Sequence, residues 1–243
     1  MEKVMKPLLL SLALLTTEPV HAAINVAVAS NFKQTLSEIA TLYQRQNEQV
    51  ILISSASTGT LYNQITHGAP FDLFLSADSE RAKLIEASPQ GVSGSRFTYA
   101  NGRLAFWVRN GAAINQQTLL DYKGRLAIAN PQLAPYGLAA KQTLLYLHLW
   151  EKFSYVQGAN ISQTYQFIDS GNIDAGFVAY SLLLQHKQNK QTSYYLIPDR
   201  WHAPIEQQGV LLANSTQKVK VQQFIDYLRS DSIQLLIHEK GYL

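Results

Sequence analysis

Four short segments combine small or hydroxyl side chains with places where a helix is expected to begin: Ala29-Ser30-Asn31, Ala56-Ser57-Thr58-Gly59, Pro135-Tyr136-Gly137 and Asn160-Ile161-Ser162. A helix start carries N–H groups with no intrahelical acceptor, and its dipole places partial positive charge there. Each segment is therefore a candidate contact for an anion. Gly59 adds close backbone approach. Taken singly, each is equally an ordinary cap, since Ser, Thr and Asn are the common N-cap residues, and Tyr136 is equally a packed aromatic. None of the four contains Lys, Arg, Asp, Glu or His. Together they offer hydrogen-bond donors without a counter-charge.

Other chemistries are poorly served. Asp72 and Asp78 could be read as metal ligands or a catalytic pair, but Asp78 stands where it would cap the helix at Glu80, and Asp72 where a strand begins. Cysteine is absent, which excludes disulfides, thiolate metal sites and a cysteine nucleophile. His21, His67, His148, His186, His202 and His238 show no metal-ligand spacing. An enzyme using Ser30 or Ser57 as nucleophile would need a His within reach, and no candidate turn supplies one. Neither a Gly-x-Ser-x-Gly elbow nor a Walker loop occurs. The expectation is a binding protein rather than an enzyme, with no cofactor and no directly coordinated metal ion.

The elements that position these turns are those of an α/β protein. Ile24–Ala29, Val50–Ile53 and Asp72–Leu75 read as strands, each followed by a polar turn and helical periodicity. The strands are continuous apolar runs, as expected when helices cover both sheet faces. Further strands fall at Arg103–Val108, Arg125–Ala129, Tyr155–Gln157, Asp174–Val178, Tyr194–Ile197 and Gly209–Leu212. Helices fall at Gly137–Leu147, from Ser162, at Ser181–Gln185, and near Gln217–Arg229 and Ser232–Glu239. Ser30 or Asn31 is expected to cap the first helix. So many parallel units exceed one small sheet, and two α/β lobes are the economical solution. No Gly/Pro/Ser-rich linker separates them, so crossing strands are expected near Leu104–Val108 and Gln207–Leu212, with the last helices returning to the first lobe. The expected division is 23–103 plus 205–243 for lobe 1 and 104–204 for lobe 2. Ligands of open α/β sheets sit beyond the carboxyl ends of the strands, where the four turns lie.

Composition sets the outer bounds. Of 243 residues, 47% are hydrophobic and 15% charged, which fits a folded globular chain. The formal charge of +3 is too thin for a dedicated nucleic-acid surface. Lys3 and Lys6 precede the apolar run Pro7–Leu15, and Val20-His21-Ala22 places small residues for a cut before Ala23. Residues 1–22 therefore read as a secretory signal peptide, with an apolar run too short to span a bilayer. Its removal takes away Glu2, Lys3, Lys6 and Glu18, leaving the net charge unchanged. An exported chain without cysteine suits a bacterial periplasm.

Six segments carry a resemblance across essentially the whole mature chain. Ala27-Val28-Ala29-Ser30-Asn31-Phe32, Ser57-Thr58-Gly59-Thr60-Leu61-Tyr62-Asn63-Gln64-Ile65 and Gly68-Ala69-Pro70-Phe71-Asp72-Leu73-Phe74-Leu75-Ser76-Ala77-Asp78 occur in that order, followed by Asn130-Pro131, Pro135–Ala140 and Gly176–Ser181. In these blocks the sequence resembles the periplasmic molybdate-binding protein family of bacterial ABC importers. The resemblance implies a type II, two-lobed periplasmic binding protein fold. Each lobe would be a mainly parallel sheet flanked by helices, with one tetrahedral oxyanion, molybdate or tungstate, between the lobes. It implies an inner-membrane ABC permease as partner, a monomer, and no nucleic acid. The family's ligand-contacting positions fall on Ser30, Asn31, Thr58, Tyr136 and Ile161: hydroxyl and N–H from Ser30 and Thr58, N–H or amide from Asn31, and backbone N–H from Tyr136 and Ile161. Many members place Ser where this chain has Thr58. Some carry a ligand-contacting Tyr after the strand, where this chain has Ala179, with Tyr180 one residue on.

A neutral site of this kind is physically sufficient, because hydrogen bonds to charged acceptors are the strong kind. It also discriminates. Hydrogen phosphate carries a proton that wants an acceptor, and leaving it unmet costs about 1–3 kcal/mol. Deprotonated molybdate, tungstate and sulfate escape that cost, and cavity size must separate the smaller sulfate. The open alternatives are a receptor for another oxyanion such as sulfate, and the serine enzyme.

Overall fold

A computed structural model describes residues 23–185 and 193–243. The signal-peptide reading of 1–22 lies outside the described residues, as do His21 and His186. The first sheet is begun by β1 (Ile24–Ala29), β2 (Ile51–Ala56), β3 (Leu73–Ser76) and β4 (Phe97–Gly102). The second is built from β5 (Leu104–Val108), β6 (Leu126–Ala129), β7 (Tyr155–Gly158), β8 (Ala175–Ala179) and β9 (Tyr194–Leu196), and β10 (Ile205–Leu211) returns to the first. The orders are β2-β1-β3-β10-β4 and β7-β6-β8-β5-β9. In each sheet a single strand, β10 or β5, runs against the others. The lobes are thus mainly parallel, as the sequence reading expected.

The inner strands β1 and β3 of the first sheet are buried on both faces, which explains their unbroken apolar runs, whereas the edge strand β2 leaves Leu52 exposed. Ile24, Val26 and Val28 of β1 enter one core, and Ala27 between them enters the opposite one. The first core receives Leu36, Ile39 and Tyr43 from α1 (Lys33–Asn47). The second receives Leu61 and Ile65 from α2 (Thr58–Thr66) and Ala82 and Ile85 from α3 (Ser79–Glu86). Burying each large apolar side chain is worth about 1.5–3 kcal/mol. The second sheet has its own core, covered by α4 (Gln116–Asp121), α5 (Pro135–Tyr146), α6 (Ile161–Asp169) and α7 (Tyr180–Gln185). Finally, α8 (Lys218–Leu228) and α9 (Asp231–Glu239) pack back on the first lobe, with Phe224 of α8 against Tyr43 at 5.0 Å between ring centroids.

Three sequence expectations need correction. The strands Leu104–Val108 and Gln207–Leu212 do not themselves cross between lobes. The chain crosses at Arg103, between β4 and β5, and returns between Leu196 and Ile205. Strand β4 was not foreseen, because one residue separates it from β5 and the sequence offers no break there. Neither Ser30 nor Asn31 caps α1. Ser30–Phe32 form a 3₁₀ turn with no side-chain cap, so neither polar side chain is used by the helix start.

Candidate functional site

The ends of β1, β3 and the loop after β2 in the first lobe face the starts of α5 and α6 in the second. Between them lies a cavity lined by Ser30, Asn31, Thr58, Tyr136 and Ile161, the five residues singled out from sequence. Ser57, Ala29, Ala77, Ala134 and Pro135 complete the wall. All of these except Pro135 are buried. The space open to the centre of a water-sized sphere is about 10 Å³. Sites for organic ligands run to roughly 300–1,000 Å³. This cavity is closed down to about the space of one water, which excludes an organic ligand, and no charged side chain lines it.

The hydrogen bonding leaves donors aimed into it. At the start of α2 the cap is Ser57, whose Oγ accepts from the Thr60 N–H at 3.3 Å. Thr58 is therefore not a cap. Its Oγ1 accepts from the Ala77 N–H at 3.0 Å, which occupies a lone pair and leaves the hydroxyl proton free to be donated. Asn160 caps α6 by accepting from the Gln163 N–H at 3.0 Å, so the helix provides no acceptor for the N–H of Ile161 in its first turn. Tyr136 occupies the first turn of α5 behind Pro135, a residue suited to that position. Caps and candidate contacts are thus different residues.

Behind the cavity the polar side chains form one buried network, which sequence reading missed. The Asn31 amide donates to Gln207 Oε1 at 2.8 Å and reaches the Tyr136 and Tyr242 hydroxyls, both at 3.4 Å. With the amide engaged in this network, the backbone N–H is the other donor expected of Asn31. Gln207 Nε2 donates to the Tyr136 hydroxyl at 3.3 Å, and Gln207 Oε1 accepts from Tyr99 at 3.2 Å. The Tyr136 hydroxyl lies so close to Gly102 that a Cβ there would come within 2.2 Å of it. Gln207 sits in β10 between Glu206 and Gln208, so no break in an apolar pattern singled it out. Burial pushes the phenols of Tyr136 and Tyr99 well up, with the neighbouring Tyr242 adding to it, and burial pushes Tyr242 up to about 12. For a phenol a raised pKa favours the neutral form, so the network stays uncharged through neutral pH.

The lobes are stitched together around the cavity. Gly59 N–H donates to the Leu133 carbonyl at 2.8 Å, Arg81 Nη2 to the Gln132 carbonyl at 2.6 Å, and Ser162 Oγ to the Ser30 carbonyl at 3.0 Å. A Cβ on Gly59 would stand 3.0 Å from Leu133 Cα, so this contact needs glycine's close approach. The acids have structural roles. Asp72 accepts from the Asn25 N–H at 2.8 Å and from Ser215 Oγ at 2.6 Å. Asp78 caps α3 through the Arg81 N–H at 2.8 Å and pairs with its guanidinium. Among the described residues no group of three His, Cys, Asp or Glu could hold a metal ion. Tyr180 does not line the cavity, and its hydroxyl pairs with that of Tyr194 at 3.2 Å.

The family profile described as bacterial extracellular solute-binding protein matches residues 24–243. The molybdate-binding protein ModA of Azotobacter vinelandii is 36% identical over 226 residues, covering 91% of this chain and 90% of that protein. The chain belongs to the ModA family. A second member, from Rhodobacter capsulatus, is 34% identical over 221 residues, covering 89% of this chain and 86% of its own. The solved structure of the Azotobacter vinelandii periplasmic molybdate-binding protein superposes on this fold with a TM-score of 0.84 at 33% identity, covering 90% of this chain and 98% of that one. Family membership accounts for the two-lobed α/β architecture and the ligand cavity between the lobes.

Proposed function

We propose that this protein is the periplasmic receptor of a molybdate ABC importer, binding molybdate, and tungstate with it, in the cavity between its lobes. The observation that carries the reading is the cavity wall: buried hydroxyl and backbone N–H donors from both lobes, with no side chain that is charged at neutral pH. Ser30 and Thr58 contribute hydroxyl and N–H groups, and Asn31, Tyr136 and Ile161 their backbone N–H groups. Residues 1–22 export the chain, and the mature protein divides into lobe 1 (23–103 plus 205–243) and lobe 2 (104–204). It works as a monomer that the inner-membrane permease recognises when the lobes are closed on the anion. It binds and releases its ligand unchanged, as a receptor rather than an enzyme.

Selectivity follows from the donor set. A monoprotonated phosphate finds no acceptor for its proton, at a cost of about 1–3 kcal/mol. Sulfate is smaller than molybdate, and donors spaced for the larger anion would hold it less tightly. Calorimetric titration with the four anions tests this. Molybdate and tungstate should bind one per chain and far more tightly than sulfate, with phosphate hardly binding. Equal affinity for sulfate and molybdate would instead identify a general oxyanion receptor.

A further inference from the structure

Two grooves abut the anion cavity, and their electrostatics differ. One shares Ser30 with the cavity wall and is lined also by Lys33, Ser55, Asn160, Ser162 and Gln163. Its volume is about 310 Å³, and it carries one cation and no acid. Lys33 is exposed on the first turn of α1 and takes part in none of the salt bridges among the described residues. The other groove shares Ala77 and Pro135 with the cavity and measures about 60 Å³. It holds Asp78, Glu80 and Arg81, and Arg81 is spent on Asp78 and on the Gln132 carbonyl across the lobes. That side is bolted and net acidic. The Lys33 side is wide and cationic, and among the described residues the Ser162–Ser30 hydrogen bond crosses it at the cavity.

We infer that the oxyanion enters and leaves through the Lys33 groove, with Lys33 as a capture residue that steers the dianion toward a binding cavity having no charge of its own. The inference rests on the molybdate reading above. A neutral cavity holds the anion well but attracts it weakly from a distance. One unpaired cation at the mouth supplies the long-range pull and, being outside the cavity, adds little to the final complex. The effect belongs to the association rate and is screened by salt.

Stopped-flow fluorescence with molybdate tests this on K33Q, E80Q and K218Q. Lys218 is an exposed lysine on α8 that lines neither groove, so K218Q makes the same charge change elsewhere. At low ionic strength K33Q should associate about threefold more slowly than the unaltered protein, a deficit that vanishes in high salt, while dissociation is unchanged. K218Q and E80Q should associate at the unaltered rate. Saturable binding with the same association rate in K33Q, or faster association in E80Q, would overturn the route and leave the molybdate reading standing. Absence of any molybdate binding by the unaltered protein would overturn both.

Discussion

Thr58→Asp is expected to abolish molybdate binding while leaving the empty protein folded. The position is the first residue of α2, where an acidic side chain is favoured by the helix dipole. The Ser57 cap is untouched, and a carboxylate can accept from the Ala77 N–H as the Thr58 hydroxyl does. In the cavity, however, the new charge meets a dianion at contact distance. At an effective dielectric of about 20 each unit-charge pair at about 4 Å is worth about 4 kcal/mol, and the dianion doubles it. Even half of the sum is a loss of about three orders of magnitude in affinity. Calorimetry should detect no molybdate heat, with circular dichroism and melting of the empty protein close to those of the unaltered chain. Retained micromolar binding would place the anion elsewhere.

Ile161→Pro isolates a backbone donor. Proline suits the first position of a helix, and Asn160 before it is extended, at φ −153° and ψ 172°, as a residue preceding proline prefers. The substitution deletes the N–H that the proposed site assigns to the anion from the second lobe. A hydrogen bond to a charged group contributes about 1.5–3 kcal/mol, so affinity should fall about 10- to 150-fold. Ile161 also packs in the second core, so Ile161→Ala serves as the comparison. It loses the same packing and keeps the N–H. Titration should find the alanine variant within a few-fold of the unaltered affinity and the proline variant far weaker. Equal losses in the two would reduce Ile161 to a packing residue.

The architecture was legible in the sequence because strand and helix periods alternate cleanly and the inner strands are buried on both faces. The turns were legible too: Ser30, Thr58, Tyr136 and Ile161 all reach one cavity. What the sequence left open was the division of labour within each turn. Ser57 and Thr58 are both good cap residues by type, and only the hydrogen bonds show Ser57 capping while Thr58 is turned to Ala77 and the cavity. Asn31 is equally ambiguous, since its amide is claimed by Gln207, Tyr136 and Tyr242, partners 105 to 211 residues away. Contacts of that range leave no local pattern. The crossings were misplaced for the related reason that Arg103 alone separates β4 from β5, and hydrophobic patterning does not register a one-residue connection.

The central claim is that the anion is held without charge compensation, and proton linkage tests it most directly. No Asp, Glu, His, Lys or Arg lines the cavity, and the phenols of Tyr136 in its wall and of Tyr99 and Tyr242 behind it are shifted up by burial, Tyr242 to about 12, so they remain protonated well above neutrality. Molybdate is fully deprotonated at neutral pH, and nothing it touches changes protonation. The measurement is the heat of molybdate binding at one neutral pH in buffers of differing ionisation enthalpy, which yields the number of protons exchanged per anion bound. The expected result is an identical heat in every buffer, hence no proton taken up or released. A heat that tracks buffer ionisation with close to one proton per anion would mean that a titratable group pairs with the ligand, and the neutral-donor account would be wrong.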